Sequence, residues 1–144
     1  MREQGHQPVI IFVTICAQRR KQIFAREEAV KAILGAWAEA DAWAVGRSVI
    51  LPDHLHLFCT PRRAEVSLAR WSKYWKALVS RRWPWAEEQP IWQEDFWDTQ
   101  LRQGESYAAK WEYVRNNPVR HGLVERPEEW PPAGEIEVLE WHDR

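Results

Sequence analysis

Residues 9–16, Val-Ile-Ile-Phe-Val-Thr-Ile-Cys, form a run rich in β-branched residues that is apolar on both alternating faces. A strand of this kind is stable only when covered on two sides, so the run predicts a central strand with packed layers above and below it. The rest of the chain must supply those layers. Over 27–41, Val30, Ile33, Leu34 and Trp37 recur at i, i+3, i+4 and i+7 behind Glu27 and Glu28, a pattern that predicts an amphipathic helix with acids at its positive end. A second strand is expected over 42–51. Pro52-Asp53 then turns the chain into a third strand, 54–59, paired with the second as a hairpin. Ser67 can cap a helix with an apolar stripe of Leu68, Trp71, Trp75 and Leu78, and Pro84 stops it. A fourth strand over 91–102 and a helix over 105–116, closed by Asn117-Pro118, complete the series. The order β-α-β-β-α-β plus a helix defines an α+β fold, a ferredoxin-like split βαβ antiparallel sheet. Two helices cover one face, and the other is left for an added C-terminal helix.

At 144 residues with 45% hydrophobic content, the chain fits a single domain with its own core. The longest apolar run falls well short of the ~20 residues that cross a bilayer, so neither a membrane span nor a leader is expected. The two cysteines, Cys16 and Cys59, lie in strand-like segments and read as buried free thiols, which points to a reducing, cytoplasmic setting.

A net charge of −1 conceals an uneven distribution. Between 62 and 82, Arg62, Arg63, Arg70, Lys73, Lys76, Arg81 and Arg82 face Glu65 alone. That segment is a candidate DNA-binding surface, with a solvated helix face as the plain alternative. From 125 to 144 there are seven acids and two arginines, which marks residues 131–144 as an acidic tail. Glu135, Glu137, Glu140 and Asp143 could lie across the basic surface and screen it. Trp71, Trp75, Trp83, Trp85, Trp92 and Trp97 are interleaved with the basic run, and aromatics among cations can stack on unpaired bases.

Residues two apart on a strand share a face, so His54 and His56 project together away from Leu55, Leu57 and Cys59. With the apolar set under the helices, both imidazoles face the open side, where they can ligate one divalent cation or stand as two half-exposed histidines. Tyr113 and Asn117 are four apart on the predicted last helix. If that face packs on the open side, Tyr113 becomes a candidate nucleophile and the Asn117 oxygen a third metal donor. Otherwise Tyr113 is a packing residue and Asn117 a helix terminus.

The string Pro52-Asp-His-Leu-His-Leu57, followed by Tyr113-Val-Arg-Asn-Asn-Pro-Val-Arg-His-Gly-Leu-Val124, resembles the single-tyrosine HUH transposases, most closely their REP-associated branch. Phe12-Val-Thr-Ile15, Ile91-Trp-Gln93 and Glu125-Arg-Pro-Glu-Glu-Trp130 are also similar, so the resemblance spans about 9–130 and defines a domain of 1–130. It lapses at Pro131-Pro-Ala-Gly134. The resemblance implies that His54 and His56 bind Mg²⁺ or Mn²⁺ with help from Asn117. It further implies that Tyr113 attacks a phosphodiester of single-stranded or hairpin DNA, forming a 5′-phosphotyrosine and freeing a 3′-OH. The tyrosine helix serves its own site or that of a partner in a homodimer. Tyrosine, with an ordinary pKa near 10, needs a cation or base beside it to attack, and the histidines must be neutral to bind metal. A domesticated DNA-binding protein that does not cut is the alternative. A metal hydrolase would leave Tyr113 without a task.

Overall fold

The fold follows from a computed structural model that describes residues 9–101 and 106–139. Its elements are β1 (Ile11–Ala17), α1 (Glu27–Glu39), β2 (Trp43–Ile50), β3 (His54–Pro61), α2 (Leu68–Arg82), β4 (Trp92–Gln100), α3 (Tyr107–Arg115), a single turn α4 (Asn117–Arg120) and β5 (Ala133–Glu135). The sheet is antiparallel in the order β4-β1-β3-β2-β5, so the apolar run does occupy an interior position. β1 pairs with β3 through Thr14 opposite His56 and Cys16 opposite His54. The predicted ferredoxin-like arrangement is the observed one.

Strand alternation sorts β3 between two cores. Leu55, Leu57 and Cys59 are sealed under α1 and α2 with Ile33, Trp37, Trp71, Trp75 and Val79. Phe58 joins the core on the opposite face, with Tyr107 and Val114 of α3, Leu101 and Leu139. That second core covers only part of its face, and His54 and His56 lie on the remainder. Both cysteines are buried, and neither forms a disulfide among the described residues.

In α1 the buried stripe is Ala29, Ile33, Ala36 and Trp37, while Leu34 is 39% exposed. Hydrophobicity alone placed Leu34 inward. The helix instead turns its alanines to the sheet, where a short side chain allows close approach. α2 buries Trp71, Ser72, Trp75, Leu78 and Val79, with Ser67 Oγ accepting from the Arg70 amide as the N-cap. Trp71, Trp75 and Trp83 are therefore core residues, contrary to the stacking expectation, and Trp71 Nε1 donates to the Ala40 carbonyl at 2.6 Å.

The acidic stretch departs most from its sequence reading. Its weak periodicity hides β5, which pairs with β2 through Arg47 opposite Glu135, while Leu139 is buried in the second core. Glu135 reaches Arg47 at 3.6 Å, and Glu137 forms an ion pair with Arg62. Gly46 is needed here, because a Cβ would stand 2.6 Å from both the Leu139 side chain and the Tyr107 hydroxyl. Glu140, Trp141 and Asp143 lie outside the described residues. No helix among the described residues is long and apolar enough to cross a membrane.

Candidate active site

His54 and His56 stand on the open face with ring centroids 4.9 Å apart and planes at 82°. His54 is buried, and His56 is stacked on Phe12 at 5.2 Å. Both outer ring nitrogens are tied down. His54 Nδ1 lies 2.7 Å from Asp53 Oδ1, and His56 Nδ1 lies 2.9 Å from Thr14 Oγ1. Burial is the largest influence on each ring and favours the neutral form. It takes His56 down to about 3, assisted by the charges of His54, His121 and Arg120. His54 is lowered by burial as well, against an opposing pull from Asp53. Burial alone would raise the Asp53 carboxyl, but the His54 hydrogen bond and the Arg20 guanidinium bring it below its ordinary value. At neutral pH the pair is thus uncharged beside an ionised carboxylate, the state that metal ligation requires.

α3 begins at the Ser106 N-cap, whose hydroxyl accepts from the Ala109 amide. It buries Tyr107 and Val114, and Tyr113 faces outward, 65% exposed. Tyr113 is therefore not the packing residue. Tyr107 fills that role: its hydroxyl accepts from the Arg47 amide at 3.0 Å, and burial raises its pKa. Tyr74 is exposed on α2, in the layer behind the sheet. Of the three tyrosines, Tyr113 alone combines exposure with a place on the histidine side.

The helix does not run unbroken to Asn117. Asn116 caps α3, and α4 starts afresh with Asn117 and Pro118 in its first turn, where a missing N–H costs nothing. Asn117 Oδ1 accepts from Arg120 at 2.5 Å, so ligating a metal would require it to give up that bond. The turn brings in two residues that sequence reasoning missed. The Arg120 guanidinium lies 4.0 Å over the Tyr113 ring, and the His121 ring centroid is 5.8 Å from that of His54. Adjacent residues of one turn thereby join the tyrosine to the histidines. An i to i+7 spacing with a helix break between gave no periodic signal for this.

Among the described residues, no three His, Cys, Asp or Glu side chains are disposed to hold an ion. The two neutral imidazoles fit a divalent cation as a partial donor set, with phosphate oxygens and water needed for the rest.

The basic segment lies elsewhere. α2 sits on the face opposite the histidines, so the sheet separates them from Arg70, Lys73, Lys76, Arg81 and Arg82. Arg62 pairs with Glu137, Arg63 with Asp41 at 3.7 Å and Arg82 with Glu39 at 2.7 Å. Lys76 Nζ lies 5.7 Å over Trp92. Arg70, Lys73 and Arg81 are exposed and form no salt bridge among the described residues. Cations on the histidine face include Arg20, Lys110 over Phe12 at 5.2 Å, and Arg120.

No protein-family model matches the chain. Its relatives nonetheless agree in kind: they are transposases. The REP-associated tyrosine transposase of Escherichia coli is 31% identical over 94 residues, which are 65% of this chain and 52% of that protein. A Haemophilus influenzae protein described as a REP-associated tyrosine transposase is 32% identical over 93 residues, 57% of this chain and 53% of its own length. The chain spans about half the length of the curated relatives it matches. In fold, it superposes on a REP-associated tyrosine transposase solved bound to a REP hairpin, with a TM-score of 0.74 and 22% identity over 92% of this chain and 80% of that one. The chain is thus similar to REP-associated tyrosine transposases in sequence over part of its length, and in fold.

Proposed function

We propose that the chain is a transposase-like DNA-binding protein that cleaves and rejoins single-stranded, hairpin-bearing DNA with a divalent cation, Mg²⁺ or Mn²⁺, through a 5′-phosphotyrosine. The observation that carries this reading is the junction made by α4, which sets an exposed tyrosine under Arg120 and a histidine against a neutral His-x-His pair of one buried and one half-buried ring. The transposase homologues support it.

Each residue then has a task. Tyr113 Oη forms a bond to phosphorus, the bond from phosphorus to the 3′ oxygen breaks, and the tyrosine proton is released as the 3′ oxygen becomes a hydroxyl. One ester replaces another, so the step reverses without ATP. A cation held by His54 and His56 would polarise the scissile phosphate and offset its developing charge. Arg120 holds a fixed positive charge on the tyrosine ring where negative charge develops during attack. His54 and His56 donate as neutral ligands, and Asp53 and Thr14 hold their rings.

Incubating the protein with hairpin-bearing single strands and Mn²⁺ should yield a protein-DNA adduct that survives denaturation, and EDTA should abolish it. An adduct formed equally in EDTA would remove the cation from the reaction. Binding with no adduct under any metal would establish the second reading, a non-cutting DNA-binding protein.

The α2 surface is assigned to backbone contacts remote from the cut. Affinity for single strands should fall with salt at a slope of roughly −0.7 per phosphate neutralised. Charge reversal at both Arg70 and Lys73 should flatten that slope by about one to two contacts while leaving the adduct chemistry of bound DNA intact. Filter binding between low and moderate salt reads this directly, and an unchanged slope would move the contacts to Arg20, Lys110 and Arg120.

A further inference from the structure

Asp53 stands in the β2–β3 turn, one residue before His54, and its two oxygens have separate partners. Oδ1 lies 2.7 Å from His54 Nδ1, while Oδ2 receives Arg20 Nε at 3.1 Å and the Arg20 terminal nitrogen at 3.0 Å. A carboxylate paired with arginine can only accept, so the 2.7 Å contact requires the His54 proton on Nδ1. The Arg20 terminal nitrogen also lies 3.4 Å from Nδ1, but it too is a donor. Two donors cannot share that bond, and the shorter contact decides the tautomer. His56 has no such constraint, because the Thr14 hydroxyl at its Nδ1 can either give or take a proton.

The chain maintains this arrangement against a backbone cost. Arg19 and Arg20 both occupy the left-handed region, with φ of 55° and 54°. That region disfavours residues with a Cβ by about 1 kcal/mol or more each. The conformation ends β1 abruptly and carries the Arg20 guanidinium back onto Asp53. Backbone bonds hold the same junction, from the Ala17 amide to the Asp53 carbonyl and from the Phe24 amide to the Pro52 carbonyl, each 2.9 Å. Strain, ion pair and backbone clamp converge on one carboxylate.

We propose that Asp53, held by Arg20, is a positioning residue that fixes His54 as the Nδ1–H tautomer and so presents its Nε2 lone pair to the divalent cation of the cleavage site. The cation half of this inference rests on the proposed function, whereas the tautomer half does not.

The test reads the two halves separately. Long-range ¹H–¹⁵N spectra of the metal-free protein with labelled histidines should show His54 protonated at Nδ1 and bare at Nε2. In Asp53→Asn a single oxygen replaces two. If Arg20 retains it, the amide N–H faces Nδ1 and drives His54 to the Nε2–H form, with His56 unchanged. Mn²⁺ affinity, followed by the loss of the free-ion EPR signal, should fall roughly 10- to 100-fold in that variant, the scale typical of lost orienting partners. An Nε2–H signal for His54 in the wild type would overturn the proposal, and so would an Asp53→Asn protein with unaltered tautomer and Mn²⁺ affinity. If Asp53→Asn inverts the tautomer but the wild type binds no Mn²⁺, the metal reading falls and the role of Asp53 on His54 stands. If Asp53→Asn does not fold, the wild-type spectrum alone decides the tautomer, and Arg20→Gln, which leaves the carboxylate in place, should keep the Nδ1–H form.

Discussion

Tyr113→Phe is expected to abolish covalent capture of single-stranded DNA while leaving affinity for the same strand within about twofold. The change removes one oxygen from a ring that is 65% exposed and contributes to neither core, so stability should hardly change. The stacking of Arg120 on the ring survives, because a phenyl face attracts a cation much as a phenol face does. What disappears is the nucleophile, and loss of a nucleophile costs on the order of 10³-fold or more. Tyr107 cannot substitute, since its hydroxyl is buried and bonded to the Arg47 amide, and Tyr74 lies behind the sheet. Denaturing gels of labelled hairpin strands with wild type and variant in Mn²⁺ provide the measurement. An adduct that persists in Tyr113→Phe would exclude this nucleophile, and cleavage without an adduct in both proteins would indicate activated water instead.

The central strands and hairpin were legible because two faces of β1 and one face of β3 are written in their side chains. Period-2 patterning needs no knowledge of the partner. β5 was not legible: a three-residue edge strand among prolines and acids carries no period, and it is specified by register with β2 and by Leu139 packing over Gly46. The tryptophans misled for a related reason. Their alternation with arginines on α2 is what an amphipathic helix produces at 3.6 residues per turn, and Trp71 and Trp75 fall on its inner side.

The histidine pair could be placed on its face from alternation alone, whereas the arrangement around it depends on tertiary contacts. Arg20 arrives through a left-handed turn that no propensity forecasts. Arg120 and His121 arrive because the helix breaks at Asn116 and restarts, which shifts every later residue out of the phase that a continuous helix would give. Asn117, read as a donor on the face of Tyr113, is bonded to Arg120 for the same reason.

Acid should unfold this protein earlier than its carboxylates would demand, with His56 as a main cause. In the folded state burial holds its pKa near 3, against an ordinary value of 6.5. The unfolded chain therefore takes up a proton at pH values where the folded one does not. His56 contributes its full stability above pH 6.5 and loses it progressively as pH falls through that window, at roughly 1.4 kcal/mol per pH unit. His54 is displaced in the same direction and adds to the slope. Asp53, Glu39, Glu88 and Glu129 are held below their ordinary values, so their contributions fade only near and below about pH 4.5. The interval from 6.5 to 4.5 isolates the histidines. Urea titrations across it should show wild-type stability falling by on the order of 3 kcal/mol from His56 alone, and His56→Gln, which cannot titrate, should lose that share of the slope. The same neutrality bears on catalysis: metal-dependent cleavage should continue at pH values well below 6.5 for as long as the fold persists, because His56 need not shed a proton to accept a cation. A cleavage profile that halves near pH 6.5, or a His56→Gln protein with the wild-type acid slope, would show that this imidazole titrates as an ordinary surface histidine and is not held neutral by burial.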